Sequence, residues 1–189
     1  MNVTKLNLGA ADRHIDGYLC VDIAPPECEK CGDTQSRTVD LGQAWPWADS
    51  SVDDVLALDV CEHIPDGIRL IPTGNTALGP RSAQRSVGGR IWFMNELHRV
   101  LVPGRRATIE TPNAAHGVGY FQDPTHCSPY CLSTFKYFEA GAFAHQRLAK
   151  AYGITAAFKV LSLTESRSNG EDAREEVWKI RAVLEAVKK

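Results

Sequence analysis

Two groups of residues in this chain have the types and spacing to do chemistry. The first is Gly9, Asp22 and Asp40. Residues 3–8 alternate apolar and polar and read as a strand that ends at Gly9, where a missing side chain lets the backbone turn sharply and approach a ligand closely. Asp22 closes a second apolar run, 18–23, just before Pro25-Pro26, and Asp40 closes a shorter third run, 37–41. A carboxylate at such a strand end accepts hydrogen bonds from the paired hydroxyls of a ribose, which suits Asp22. Asp40 can accept from an adenine amino group while Leu41 packs near the ring. Taken singly, each Asp reads as a solvated strand end; Gly, Asp and Asp in that order at successive strand ends are much less expected by chance. The same stretch lacks G-x-G-x-x-G, since Gly9-Ala10-Ala11 keeps one glycine, and a pyrophosphate needs several close backbone amides. NAD and FAD are therefore disfavoured.

The second group is Glu62, His63, Asp123 and His126. Glu62-His63 follows the apolar run 52–58, and Asp123 and His126 lie three apart in one loop, so a single turn can aim both at one cleft. Imidazoles titrate near neutral pH, which makes His63 and His126 candidate bases. The competing reading gives Glu62 and His63 to packing and capping, and Asp123 to a turn before Pro124.

The elements that must position these residues follow from periodicity. Residues 52–58 read as a buried fourth strand. Ile91, Met94, Leu97, Val100 and Leu101 have helical spacing, Pro103-Gly104 stops that helix, and 106–110 continues as a fifth strand. Helices are expected over 132–137 and 140–152, with Gly153 as the stop, and a sixth strand over 155–163. Residues 176–187 fit both periods; a strand is preferred. Strands separated by helical segments imply an α/β fold, a mostly parallel sheet with helices on both faces, whose ligands bind beyond the carboxyl ends of the strands. The irregular stretch 67–90 carries Arg69, Arg81, Arg85 and Arg90, and reads as a flexible insertion in a single domain 1–189.

The chain's 189 residues suffice for one core, and a formal charge of −2 gives no general attraction to nucleic acid or anionic lipid. The first residues lack the features of a signal peptide and no apolar run spans a bilayer, so a cytoplasmic protein is expected. Cys20 and Cys61 fall in apolar runs and read as small core residues. No metal ligand is assigned, although Cys28 and Cys31 with Cys127 and Cys131, or with His126, leave a zinc site as a lesser alternative.

Residues 6–23 resemble the first motif of class I S-adenosylmethionine-dependent methyltransferases. The segment from Asp40-Leu41-Gly42 through Trp45-Pro46-Trp47 to Asp53 resembles the type 11 branch, as does Ala57-Leu58-Asp59-Val60-Cys61-Glu62-His63-Ile64, and the stretch 93–104 ending in Pro103-Gly104 resembles the family helix and turn leading into strand five. Gln122-Asp123-Pro124-Thr125-His126 is similar to a loop of small methyltransferases of this kind. The resemblance implies a Rossmann-like seven-stranded sheet whose last strand is antiparallel, and S-adenosylmethionine as cofactor. Leu8, Gly9, Ala10, Asp22, Ile23, Asp40 and Leu41 would then line the cofactor, with Asp59 near its methionine end. A sulfonium cofactor has no phosphate to cradle, so one turn glycine is compatible with it. Two departures stand out: the first motif lacks its second glycine, and Arg105-Arg106 follows Pro103-Gly104 where another glycine is usual.

The residue after strand four excludes some acceptors. Amino-methylating nucleic-acid enzymes carry Asn/Asp-Pro-Pro-aromatic where Asp59-Val60-Cys61-Glu62 stands, and the cytosine C5 enzymes use a Pro-Cys dipeptide absent from this chain. A small-molecule acceptor is expected over nucleic acid, and an acidic one if the arginines of 67–90 close over it as a lid, with Arg81 and Arg85 in contact. The alternative class is a non-catalytic domain that keeps the fold; loss of Gly9 or Asp22 would mark it, and both are present.

Overall fold

The strands form where apolar side chains recur every second residue, and their pairing puts those side chains on one face. The computed structural model describes residues 4–24, 35–65, 71–72, 84–85, 88–169 and 176–188. Within them the strands are β1 (Lys5–Leu8), β2 (Leu19–Asp22), β3 (Ser36–Thr38), β4 (Val52–Leu58), β5 (Ile71–Pro72), β6 (Gln84–Arg85), β7 (Leu101–Pro112), β8 (Phe158–Asn169) and β9 (Glu176–Ala186). Seven of them form one sheet in the order β3-β2-β1-β4-β7-β9-β8. The pairings from β3 through β7 are parallel, and β9 runs antiparallel between β7 and β8. This is the expected Rossmann-like sheet, and the choice of a strand over a helix near the C-terminus holds.

One face of the sheet is the core. Leu6 sits beside Val55, Leu8 beside Ala57, and Ala107 and Ile109 beside Leu184 and Ala182. These side chains are buried together with Phe93, Met94 and Leu97 of helix α1 (Gly89–Val100). Asn95 of α1 donates to the Gly153 carbonyl at the end of helix α3 (Phe143–Tyr152) and accepts from the Thr155 and Ala156 amides, at 2.8, 2.9 and 3.1 Å. The opposite face carries ionic and polar pairs instead: Lys179 with Asp59 at 2.7 Å, Arg181 with Glu110 at 3.1 Å, and the Tyr18 hydroxyl donating to Asp54 at 2.7 Å. There the helix α2 (Val118–Phe121) packs Gly119 closely against Val177 of β9.

The boundaries differ from expectation in instructive ways. The α1 helix ends at Val100, before Pro103-Gly104, and the chain enters β7 at once, with the pairing to β4 shifting from Val52–Leu101 to Asp54–Arg106 across the Pro-Gly kink. At its other end α1 already begins at Gly89, so Arg90 belongs to the helix and not to the insertion. Its guanidinium donates to the Pro129 carbonyl. Within 67–90, Ile71–Pro72 and Gln84–Arg85 pair antiparallel. Arg69, Arg81 and the Arg85 side chain lie outside the described residues, as does the lid expected there; so do Cys28 and Cys31. Residues 132–137 form a 3-10 turn, α3 starts at Phe143 rather than 140, β3 is shorter than expected, and β8 runs from Phe158 to Asn169. Among the described residues no helix is long and apolar enough to cross a membrane.

Arg99 of α1 fixes the segment after β3. Its guanidinium donates to Glu96 at 2.7 and 2.8 Å, to Asp49 at 2.8 Å, and to the Trp45 and Trp47 carbonyls at 3.0 and 2.8 Å. Glu96, nearly buried, also accepts from the Trp45 amide at 2.9 Å. The planar fork fills these acceptors at once, which a lysine cannot do. Replacing Arg99 with Ala should lower unfolding stability in urea by about 2–3 kcal/mol, because Glu96 is left buried without its cation. Arg99→Lys should recover less than half of that loss.

Candidate active site

The turn after β1 is dictated by close packing. Gly9 has φ of +63°, and a Cβ there would lie 2.5 Å from Val60 Cβ. Ala10 then donates its amide to the Val21 carbonyl at 3.1 Å, and the Ala11 amide reaches the Asp22 carboxylate at 2.9 Å. Asp22 accepts a second bond from the Ile23 amide at 2.7 Å, so both oxygens are oriented while lone pairs remain for hydroxyl donors. After β3, Asp40 accepts from the Gly42 amide at 2.8 Å, and the Trp45 indole donates to the Leu41 carbonyl at 3.0 Å. Trp45 in turn packs edge-on against Phe93 of α1.

These turns form one cleft at the carboxyl ends of β1, β2 and β4, lined by Gly9, Asp22, Ile23, Val39, Asp40, Leu41, Val60, His63, Ile64 and Pro65. Of the residues expected to line a cofactor, Gly9, Asp22, Ile23, Asp40 and Leu41 are brought together here. Leu8 and Ala10 are fully buried in the packing behind the cleft. Asp59 lies outside the lining: its carboxylate pairs with Lys179 at 2.7 Å and Arg13 at 3.6 Å.

The second group of residues converges as well. Beyond β4, Asp59 takes a left-handed conformation, and Cys61–His63 forms a 3-10 turn. The Glu62 carbonyl accepts from the Cys127 and Ser128 amides, both at 2.9 Å, and the Ser128 hydroxyl donates to the Ile64 carbonyl at 2.6 Å. Those bonds pin the Asp123–Ser128 loop to the turn and bring the His63 and His126 rings to 4.7 Å. His126 Nε2 lies 4.0 Å from Glu62 Oε1 and 3.7 Å from Asp123 Oδ2. All four expected residues are thus neighbours.

The electrostatics are uneven. Glu62 is fully buried, and desolvation pushes its carboxyl up to about 7. Its Oε2 accepts from the Thr111 hydroxyl at 3.0 Å, while Oε1 has no hydrogen-bond partner among the described residues. Burial and the neighbouring His126 lower His63. Hydrogen bonds from Thr125 hold half-buried Asp123 below the usual carboxylate range. Sequence reasoning missed Thr125, Tyr120 and Thr111. Thr125 stood inside the quoted Asp-Pro-Thr-His stretch, whereas Tyr120 and Thr111 join the site only through long-range packing. A second cleft of about 380 Å³ opens beside His126, lined also by Tyr120, Phe121, Asp123, Pro124, Cys127 and Pro129.

No protein-family model matches the sequence, and no curated protein sequence does. Solved structures match in fold. An S-adenosylmethionine-dependent methyltransferase from Methanosarcina mazei superposes with a TM-score of 0.59 over 100% of this chain and 95% of that one, at 12% identity. The N-methyltransferase NodS from Bradyrhizobium japonicum, in complex with S-adenosylhomocysteine, gives 0.54 over 98% and 79%, at 13% identity. The Burkholderia thailandensis 1,6-didemethyltoxoflavin-N1-methyltransferase gives 0.52 over 99% and 72%, at 12% identity. The fold is the one these methyltransferases share.

Two substitutions test the first cleft. Asp22→Ala should weaken S-adenosylhomocysteine binding about tenfold or more by calorimetry, the value of one charge-assisted hydrogen bond. Gly9→Ala should lower thermal stability as well as affinity, since the new Cβ meets Val60 in a left-handed conformation.

Proposed function

We propose that this chain is an S-adenosylmethionine-dependent methyltransferase acting on a small-molecule acceptor. The observation that carries the reading is the convergence of Gly9, Asp22, Asp40 and Leu41 on one cleft, in a sheet with this strand order, with His63 also in its lining. Asp22 would take the ribose hydroxyls of the cofactor, and Leu41 would pack near the adenine beside Asp40. The sulfonium methyl would then face His63 and the second cleft. Ligands in such sheets lie beyond the strands' carboxyl ends, where this cleft opens.

Methyl transfer is an in-line displacement, so the protein's work is alignment, exclusion of water, and removal of a proton from the acceptor where it carries one. Tyr120, Phe121 and Pro129 offer apolar walls for a small acceptor, and Asp123 and His126 offer polar groups beside them. NodS and the toxoflavin enzyme are both N-methyltransferases by name, and at 12–13% identity the likeness supports the reaction class rather than one substrate.

The competing reading is a domain that binds the cofactor without turnover. Asp123 and the His63–His126 pair, set beside an open second cleft, favour an enzyme. The test is ligand-dependent melting. S-adenosylhomocysteine at a hundredfold its Kd should raise Tm by about 5–10 °C, whereas NAD should leave it unchanged. Equal shifts with both would overturn the cofactor reading, and labelled methyl transfer to a pool of small metabolites separates enzyme from binding domain.

A further inference from the structure

We propose that Glu62, His63 and His126 form a divalent-cation site where the two clefts meet, and that the methyl acceptor is a hydroxyl whose oxygen faces that cation. The second half of the proposal rests on the methyltransferase reading; the first does not. One ligand atom from each of the three residues lies within 4.8 Å of the other two. Metal–ligand bonds of about 2.0–2.2 Å put ligand atoms about 3–4.3 Å apart, so a small inward movement completes the set.

The hydrogen bonds around the imidazoles prepare them as ligands. His126 Nδ1 lies 2.7 Å from the Tyr120 carbonyl, which can only accept, so Nδ1 carries a proton and the lone pair of the neutral ring is the one on Nε2. Thr125 donates its hydroxyl proton to Asp123 at 2.6 Å, so its oxygen accepts from His63 Nδ1 at 3.0 Å. His63 Nε2 is likewise left with a lone pair. Metal-binding histidines are oriented in this way, by donating the other ring N–H to a carbonyl or similar acceptor. Opposite them stands Glu62 Oε1, fully buried and without a hydrogen-bond partner among the described residues. Its distance of 4.0 Å to His126 Nε2 is too long for a hydrogen bond and suits a shared cation. Asp123 Oδ2, at 3.7 Å from the same nitrogen, adds a second carboxylate on the solvent side.

Two imidazoles with one or two carboxylates select a borderline dication such as Zn²⁺ or Co²⁺ over Ca²⁺ or Mg²⁺, which prefer oxygen alone. Three protein ligands leave positions open, as in metal sites that bind substrate. His63 lines the cofactor cleft and His126 the second cleft, so those positions face the boundary between methyl donor and acceptor. A cation there lowers the pKa of an acceptor hydroxyl. In the transfer, the acceptor O–H gives its proton to water. The oxygen lone pair forms the new O–C bond to the methyl carbon as the C–S bond breaks, and that electron pair remains on sulfur, which passes from sulfonium to neutral thioether.

Co²⁺ titration of the full chain, followed by visible absorption and calorimetry, tests the site. One equivalent should bind saturably, with ligand-field bands and no thiolate-to-cobalt charge-transfer band. His126→Ala and His63→Ala should each weaken binding at least tenfold while retaining cooperative melting. Absence of saturable binding, binding indifferent to both variants, or a thiolate band overturns the site; the last two would place the ion at cysteines or elsewhere. Acetohydroxamate, a bidentate oxygen ligand, should shift the cobalt bands, and an unshifted spectrum overturns the oxygen-acceptor half. S-adenosylhomocysteine calorimetry on the same samples keeps the two readings apart, since its failure would strike the methyltransferase reading and leave cobalt binding standing.

Discussion

The site depends on the backbone carbonyl of Glu62. It takes both the Cys127 and Ser128 amides at 2.9 Å, and through them it fastens the 3-10 turn after β4 to a loop more than sixty residues further along the chain. A carbonyl has two lone pairs, and both are used here. The Ser128 hydroxyl, fully buried, ties the same loop to Ile64. With these bonds in place Asp123 and His126 have little freedom, because Asp123 is further held by the Thr125 amide and hydroxyl. The position of the imidazole pair is therefore a backbone property, and the side chains inherit it.

How much of this was legible in the sequence depends on how local each cause is. β1, β2 and β4 showed as apolar alternation closed by Gly9, Asp22 and a polar turn, and those are local signals. Gly153 was readable as a helix stop, and its φ of +74° gives the reason. Thr111 and Tyr120 were not readable, since each matters only because a strand or short helix from another part of the chain passes the Glu62 turn. Asp59 shows the same limit from the other side. Its carboxylate, just beyond β4, pairs at 2.7 Å with Lys179, which β9 presents from its antiparallel place beside β7. No spacing along the chain announces that pairing.

The two faces of the sheet divide the labour of stability. One buries aliphatic side chains from five strands against α1, at roughly 25 cal/mol per Å² of apolar surface removed from water. The other is held by half-exposed ion pairs such as Arg181–Glu110, which contribute little individually. On that face the short connection between β1 and β2 lies close: Asn7 donates to the Arg13 carbonyl at 2.7 Å, and Arg13 reaches the Leu58 carbonyl at 3.1 Å. The segment that shapes the turn at Gly9 is thus anchored to both β1 and the end of β4.

That anchoring links the two clefts mechanically. Gly9 lies so close to Val60 that no side chain fits between them, and Val60 immediately precedes the turn carrying Glu62 and His63. The turn cannot shift toward β1 without collision. It cannot shift away without giving up the Asp59 amide bond to the Glu110 carbonyl at 2.9 Å and the loop bonds to Glu62. A close-packed interior has few intermediate arrangements, so the distance between the β1 turn and the imidazole pair is set by contact rather than by a flexible hinge. The missing Cβ at Gly9 thus sets the spacing between the first cleft and the imidazole pair.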